Sequence, residues 1–447
     1  MKDFTTRYSS KDLAGFLLPI ILSELFQEFY NLINTAVVSR YQTYHAVAVI
    51  GACTSFLRMQ EHVFVSMTAG FGVYIAKCIG SKDREQFRRG FSGAVYFTTA
   101  MSLVAAAAAL FARQILEGMN VSDELIGDAT GYLICLLIGC FFIGMKNLLT
   151  CTIQGLGDTK FVSVLSMACV ITHTGLVVFL VAVVKMGAAA SALAVLLNNG
   201  LYAAVLLIYL KRKYRDMFRL MSVRELNGGV MKTLGTNGIA KSGMTVLVGI
   251  GTFYVQYALN TLPTETIAGY SYVNGTINGF FMQPLAACAT AASVIAAQNA
   301  GCKNMGLLRK YVRRLTIIDC VIAVASMVLC FLFGSQMIYL LAGSEITPEV
   351  LRAGKEWFHI CTPAYVGLAL FFIYRNVLHV LENYKIPVLM GAIEMLWGMI
   401  MSVFFVPRMG FTAICLSIAL SWTTTGILSM LFYLGCAKRA EAKWKAK

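Results

Sequence analysis

The chain has 447 residues, of which 58% are hydrophobic and only 13% charged, and its mean hydropathy is +0.70. Soluble domains are about 45–50% apolar and about 25% charged, while a membrane-crossing helix needs roughly 20 apolar residues, so the composition excludes a water-soluble enzyme and supplies about a dozen spans. The net charge of +15 accordingly reads as the Lys and Arg excess of cytoplasmic loops, with no nucleic acid as partner.

Twelve apolar runs follow in chain order, at about 13–38, 46–76, 90–112, 129–151, 161–184, 188–210, 234–262, 266–297, 315–341, 352–377, 386–406 and 411–435. In lipid an open chain satisfies its own backbone only as a helix, so the runs predict twelve transmembrane helices. The start, MKDFTTRYSSKDLAGFLLPI, has no short apolar region ending at a small-residue cleavage site, and its run continues to about Val38. It reads as a retained first span. Most of the 13 Cys, among them Cys53, Cys135, Cys140, Cys169, Cys320 and Cys330, lie singly inside apolar runs. They behave as small hydrophobes of a reducing-side protein, and no CxxC or Cys/His cluster suggests a metal.

Loop charge orients these helices. Lys82, Arg84, Arg88 and Arg89 follow the second run, a block from Lys211 to Lys232 follows the sixth, and Lys303, Arg309, Lys310, Arg313 and Arg314 follow the eighth. The loop after the third run instead sets Arg113 against Glu117, Asp123, Glu124 and Asp128, and the loop after the ninth sets Glu345, Glu349 and Glu356 against Arg352 and Lys355. Basic loops alternate with poor ones, which places both termini in the cytoplasm and the chain in the plasma (inner) membrane.

The sequence also repeats itself at an offset of half its length. IAKCIGSKDREQFRRG from Ile75 is matched by IAAQNAGCKNMGLLRKYV, with Gly301 in the place of Gly80. GLGDTKFV from Gly155 is matched by VLENYKIPV from Val380, with Lys385 in the place of Lys160. The second copy begins after six helices, an even number, so both halves share one orientation. Parallel six-helix repeats are a transporter architecture with the substrate path between the halves.

The segments LPIILSELFQEFYNLINTAVVSRY, IGSKDREQFRRG, QGLGDTKF, AAQNAGCKN and YRNVLHVLENYKIPVLMGAIEML, in this order over nearly the whole chain, resemble the multidrug and toxic compound extrusion (MATE) transporters. Asp83 and Asp158 occupy the acidic positions of the two GxxD-like turns. The resemblance implies an all-α membrane protein with two six-helix bundles, residues 1–215 and 216–447, related by pseudo-two-fold symmetry. It also implies export of small organic molecules by antiport with H⁺ or Na⁺. One departure matters: relatives place an aspartate in a YNLxD-like stretch of helix 1, and here YNLIN puts Asn34 there. An amide cannot carry a proton, which puts coupling through that position in doubt.

Polar groups inside the spans carry the functional reading, because a charge at mid-bilayer costs roughly 2.5–3.5 kcal/mol on the mildest scale. On helix 1, advancing about 100° per residue, Ser23, Glu24, Gln27, Glu28, Asn31, Asn34 and Thr35 fall on one arc of about 140°. That stripe must face protein or water. Glu24 and Glu28, one turn apart, form the candidate H⁺ or Na⁺ site, with Glu28 taking the titrating role that Asn34 cannot. On helix 2, Arg58, Glu61 and His62 read as an internal ion pair with His62 as a pH switch, or as substrate contacts.

Lys146 on helix 4 reads as a snorkelling cation, and His173, His359 and His379 read as core residues. In the second half Lys241, Thr245, Thr252 and Gln256 share a face of helix 7, and Asn274 and Asn278 share a face of helix 8, as substrate contacts or interhelical hydrogen bonds. Arg375 and Glu394 read as a pair across helices 10 and 11. Four embedded acids (Glu24, Glu28, Glu61 and Glu394) face four bases (Arg58, Lys146, Lys241 and Arg375), a balance that keeps anionic and zwitterionic substrates open.

These readings converge on a monomeric alternating-access exporter in the lipid bilayer, without a cofactor beyond its coupling ion. The alternatives are a lipid-linked precursor flippase of the same superfamily, which usually has more than twelve helices, or a channel or membrane enzyme. No catalytic motif supports the enzyme.

Overall fold

The computed structural model describes the backbone of residues 3–41, 44–119, 121–184, 186, 188–215, 220–342 and 346–446, and their side chains except at 30–41, 44–47, 55, 182, 188 and 342. Every element among the described residues is helical. The long helices are α1 (Ser10–Tyr41), α2 (Tyr44–Gly80), α3 (Arg84–Gly118), α4 (Asp123–Gly155), α5 (Thr159–Val181) and α6 (Ala189–Lys213). They continue as α7 (Gly228–Leu259), α8 (Thr264–Gly301), α9 (Met305–Leu341), α10 (Pro348–Val380), α11 (Lys385–Met409) and α12 (Phe411–Lys445). Eleven of these have described stretches long and apolar enough to cross a membrane, and α1, at 32 residues, brings the helices to twelve.

Helix ends follow capping chemistry more closely than hydropathy. After α2, Asp83 N–H donates to Cys78 O at 3.2 Å and Lys82 N–H to Ile79 O at 3.1 Å, with Lys82 at φ 58°. This is the Schellman closure, which needs a left-handed residue just past the helix. Asp83 then caps α3, its Oδ1 accepting from Gln86 N at 2.9 Å. The same bonds recur after α8: Asn304 N to Asn299 O at 2.9 Å, Lys303 N to Ala300 O at 3.2 Å with Lys303 at φ 57°, and Leu307 N to Asn304 Oδ1 at 3.1 Å.

The turns after α4 and α10 form a second matched pair. Asp158 N–H bonds Ile153 O and Asn383 N–H bonds Leu378 O, each at 3.2 Å, with Gly157 at φ 80° and Glu382 at φ 63°. The two sequence offsets are therefore backbone offsets too. A π-helical turn over Phe179–Val183 near the end of α5 has a near counterpart at Met401–Phe405 in α11, three residues short of the repeat offset.

Two compact units form, and each takes the start of the other repeat's first helix. Among the described residues the first comprises Phe26–Ser242 (with Asp3), the second Phe4–Leu25 with Gly243–Ala446. In the second unit, Phe4, 1% exposed, packs edge-on against Phe16 and Tyr311. Ser9 N–H donates to Tyr311 Oη at 3.2 Å, and Tyr311 O–H donates to Arg7 O at 3.0 Å. In the first unit the opening half of α7 reaches α2 closely: a Cβ on Gly70 would lie 2.6 Å from Asn237 O. The stretch of chain before α7 is tied to α3 by Met221 N–H to Ser92 Oγ and Tyr96 O–H to Met221 O, both 3.0 Å.

The first unit's core is built on Phe71, Ile75, Phe87, Leu148, Ile153, Leu206 and Leu234. The second unit's core is built on Leu285, Ile338, Trp357, Tyr365, Phe371 and Ile414. Small residues let helices approach where side chains would hold them apart. A Cβ on Gly426 of α12 would lie 2.1 Å from Gly367 O of α10, and a Cβ on Gly139 of α4 would strike Leu196 of α6. Large apolar side chains left open, such as Leu103, Ile171, Phe253, Leu332 and Leu340, give the units the surface expected against lipid.

Candidate functional site

In the first unit, polar side chains of five helices converge on a cavity of about 250 Å³. Helical periodicity explains the convergence. Ser166, Cys169, Val170 and His173 recur every three or four residues on α5, Val195, Asn198, Asn199 and Tyr202 do so on α6, and Ile143 and Lys146 lie one turn apart on α4. Gln27 of α1 and Glu61 of α2 complete the lining.

The lining is pinned by its own hydrogen bonds. Tyr202 Oη and Ser166 Oγ lie 2.7 Å apart, Thr172 Oγ1 donates to Asn198 Oδ1 at 3.2 Å, and Asn199 Nδ2 donates to Val195 O at 2.8 Å. A second cavity of about 260 Å³ shares Glu61, Ile143 and Val195 with the first. It adds Arg58 and Gln60 and apolar walls from Leu57, Phe64, Tyr132 and Leu136. Gln60 Nε2 donates to Cys140 Sγ, and its Oε1 is buried with no hydrogen-bond partner among the described residues.

The second unit has larger hollows of a different character. One of about 620 Å³ is lined by Tyr254, Tyr257, Val403 and Pro407, and with Tyr257 68% exposed it belongs to the apolar outer surface. Another, of about 500 Å³, lies among Arg309, Arg313, Lys438 and Glu441 at the basic helix ends.

The sequence-derived candidates distribute as follows. Gln27, Arg58 and Glu61 line the paired cavities, whereas His62 is exposed and lines neither. Glu24 and Glu28 are half-buried and engaged by other groups, but line no cavity described above. The side chains of Asn31, Asn34 and Thr35 lie outside the described residues. Lys241 is half-buried and engaged. Asn274 and Asn278 belong to a hydrogen-bonded ladder inside the second unit: Asn274 Nδ2 donates to Tyr270 Oη at 2.9 Å, and Tyr365 O–H donates to Asn278 Oδ1 at 3.0 Å. The π-helical stretch Ser271–Ile277 sets this register.

Two pairings expected from sequence do not close to contact distance among the described residues. No ion pair within 4.0 Å joins Arg58 to Glu61. Arg375 and Glu394 form no ion pair within 4.0 Å either, but each is the other's opposite charge across α10 and α11. The Arg375 guanidinium lies 4.4 Å from the Phe371 ring centroid and 5.4 Å from that of Phe372, a cation–π seat on its own helix. Glu394 Oε2 stays buried without a hydrogen bond among the described residues.

Several functional candidates escaped the sequence reading. His173 is core as read, 2% exposed and engaged, but it also lines the polar cavity, as does Lys146, read as snorkelling. The signal was the pair of adjacent amides Asn198–Asn199 in an otherwise apolar run. Asp319 of α9 is 0% exposed, and the one polar group set against its carboxyl among the described residues is the Cys288 thiol of α8, a weak hydrogen-bond donor. A lone Asp in LTIIDCVIAVA was the available signal.

With this geometry in hand, the comparisons decide the family. The MatE family profile matches residues 19–179 and 242–404, one stretch in each repeat. The chain belongs to the MatE family. It is a multi-pass membrane efflux transporter that handles small molecules. Among curated proteins, this MatE chain is 21% identical over 345 residues to the "Probable multidrug resistance protein YoeA" of Bacillus subtilis (strain 168), covering 75% of this chain and 74% of that one.

Its fold matches the "Crystal structure of MATE in complex with MaL6" with a TM-score of 0.88 at 16% identity, over 100% of this chain and 98% of the other. It also matches a transporter of the MOP superfamily from Pyrococcus furiosus Vc1 (DSM3638), described under "Reverse polarity of binding pocket suggests different function", with a TM-score of 0.86 at 17% identity over 98% and 97% of the two chains. At such identities the likeness is one of fold.

Proposed function

We propose that this MatE transporter is a secondary antiporter of small organic molecules, driven by H⁺ or Na⁺ through alternating access. It works as a monomer in the plasma (inner) membrane with both termini in the cytoplasm. The observation that carries the reading is the charged cavity inside the first unit. Lys146, Glu61 and three amides converge there from helices that cross lipid, and because embedded charge is expensive this supports the handling of a polar ligand. The alternation of basic and poor loops supports the orientation.

In this scheme Glu24 and Glu28 of α1 accept the coupling ion from outside, and its binding biases the packing of the helix that also presents Gln27 to the cavity. A ligand shifts such an equilibrium only through its different affinity for the two states. The test is transport in proteoliposomes under imposed H⁺ and Na⁺ gradients. Saturable, gradient-driven efflux that collapses with Glu28→Gln, while counterflow exchange persists, is the expected result. Non-saturable flux would make the protein a pore, and undiminished gradient-driven efflux in the variant would remove Glu28 from coupling.

A further inference from the structure

We propose that the hollow of about 500 Å³ at the basic end of the second unit holds the headgroup of an anionic phospholipid. Its place is the first argument. The lining comes from Arg309, Val312 and Arg313 near the start of α9, from Tyr374 of α10, and from residues between Tyr433 and Glu441 near the end of α12. The apolar run of α9 begins at about 315, and those of α10 and α12 end at about 377 and 435, so the hollow straddles the level where hydrocarbon gives way to headgroups. Buried Tyr374 and Tyr433, with ring centroids 5.0 Å apart, are the amphipathic residues this level favours. Charge is the second argument. Glu441 is the one acid among the described lining residues, and Arg309 at 2.8 Å and Lys445 at 3.0 Å already share it. Arg313 and Lys438 are exposed, line the same hollow, and form no ion pair within 4.0 Å among the described residues. Guanidinium and ammonium groups in a pocket between spanning helices are the chemistry that binds acidic headgroups.

The apolar wall is the third argument, and it favours a lipid over a free phosphate. Val312, Leu434 and Ala437 stand beside the cations in the lining. From Arg313 the exposed Ile317 and Val321 follow at steps of four along α9, and from Leu434 the exposed Leu431 and Ile427 recede at steps of three and four along α12. Each strip runs from the hollow towards the middle of its span, the course that acyl chains take from a bound headgroup. A soluble phosphate would make no use of either.

The test titrates the purified full chain in detergent with phosphatidylglycerol and with phosphatidylcholine of identical acyl chains, and reads bound lipid by native mass spectrometry. The wild type is expected to hold phosphatidylglycerol more tightly. Arg313→Gln combined with Lys438→Gln is expected to weaken that binding about 25-fold, about 5-fold per cation, while Arg313→Lys with Lys438→Arg keeps it. Arg314→Gln with Arg439→Gln removes the same charge from exposed neighbours that do not line the hollow, and is expected to leave the affinity in place. Equal affinity of the wild type for the two lipids overturns the inference. An equal loss in the Arg314 and Arg439 pair also overturns it, because the attraction would then belong to the whole basic end. Displacement of the lipid by glycerol phosphate at matched concentration would make this a site for a soluble phosphate and overturns the lipid. Should the Arg313 and Lys438 glutamine pair lose its thermal transition, Leu434→Glu at the exposed wall decides: a weakened preference for phosphatidylglycerol supports the site, and an undiminished one overturns it.

Discussion

Asp158, in the turn between α4 and α5, offers the sharpest quantitative test of how the first unit is held at its basic end. Its Oδ2 accepts from Lys213 Nζ at 2.5 Å, from the Tyr209 hydroxyl, and from Tyr214 Oη at 3.4 Å. Tyr209 in turn stacks on Phe161, with ring centroids 3.6 Å apart and planes 5° from parallel. Burial alone would push the Asp158 carboxyl up, but the hydrogen bonds from Lys213 and Tyr209 outweigh it and hold the group below the usual carboxylate range.

A carboxyl whose folded value is depressed contributes stability above its unfolded value of about 3.9 and loses it as pH falls through the folded one. The contribution is therefore flat from pH 5 to 8 and vanishes only in strong acid. A hydrogen bond to a charged group is worth about 1.5–3 kcal/mol, but exposed ion pairs are worth about 0.2–1 kcal/mol. Asp158 is 14% exposed and Lys213 46%, so the pair lies between these limits.

Asp158→Asn should cost about 1–2 kcal/mol, and a double-mutant cycle with Lys213→Gln should give a coupling of about 1 kcal/mol. Thermal unfolding of purified protein should record a fall of about 2–4 °C per kcal/mol for a unit of this size, smaller in high salt than in low. Strict additivity of the two substitutions, or a transition in Asp158→Asn indistinguishable from the parent, would refute the latch.

Three further outcomes follow from the packing. Gly426→Ala should destabilise by about 1–3 kcal/mol through overpacking, because its Cβ meets the backbone of Gly367 at 2.1 Å, whereas Gly435→Ala on the same helix has nothing within 4 Å and should be neutral in the same melt. Cys302 is exposed in the basic turn after α8; a membrane-impermeant maleimide should label it in inverted vesicles but not in intact cells, with Cys302→Ser as the control, and labelling from outside would invert the topology. Asp319→Asn should keep or raise thermal stability, since a buried acid with no cation and only the weak Cys288 thiol donor contributes little, while lowering transport. Parallel loss of both would make Asp319 a structural residue.

The twelve apolar runs located every helix because hydropathy is what the bilayer selects. They missed the ends, since α3 begins at Arg84 and α12 runs to Lys445, where polar turns extend the helices into water. Asp83 and its Schellman closure, not hydrophobicity, set the start of α3. The repeat was legible because turn residues recur with it. The cavity was only half legible. Periodicity shows which face of α5 or α6 is polar, but not that those two faces meet one another and Glu61. Asp319 was hidden by its surroundings, as α9 has the highest mean hydropathy, 2.5, of the eleven described spans. Arg375 has Glu394 as its opposite charge across α10 and α11, as a sequence offers, but a sequence gives no sign that Phe371, one turn back, also seats the guanidinium.

The repeat also separates what is symmetric in this transporter from what is not. Left-handed residues at Lys82 and Lys303, and at Gly157 and Glu382, show that the backbone turns are the same to the residue. When the pairings of Gly80 with Gly301 and Lys160 with Lys385 are carried along the helices, Glu61 corresponds to Met282, Lys146 to Phe371 and His173 to Gly398, while Thr98 corresponds to Asp319. Each of these charged or titratable positions of the first unit's cavity thus has an apolar or absent side chain in the second, and the second unit's buried acid has a hydroxyl in the first. Backbone symmetry is cheap to keep, since it follows from capping and glycine contacts that tolerate almost any side chain facing elsewhere. Side-chain chemistry is under no such constraint. If the repeats contributed equivalently, Lys146→Gln and Phe371→Leu should disturb substrate binding alike. The asymmetry instead requires that Lys146→Gln act on ligand affinity and Phe371→Leu on folding alone, with Phe371 1% exposed in the second unit's core. Equal effects on affinity in a binding titration would return the substrate path to both units.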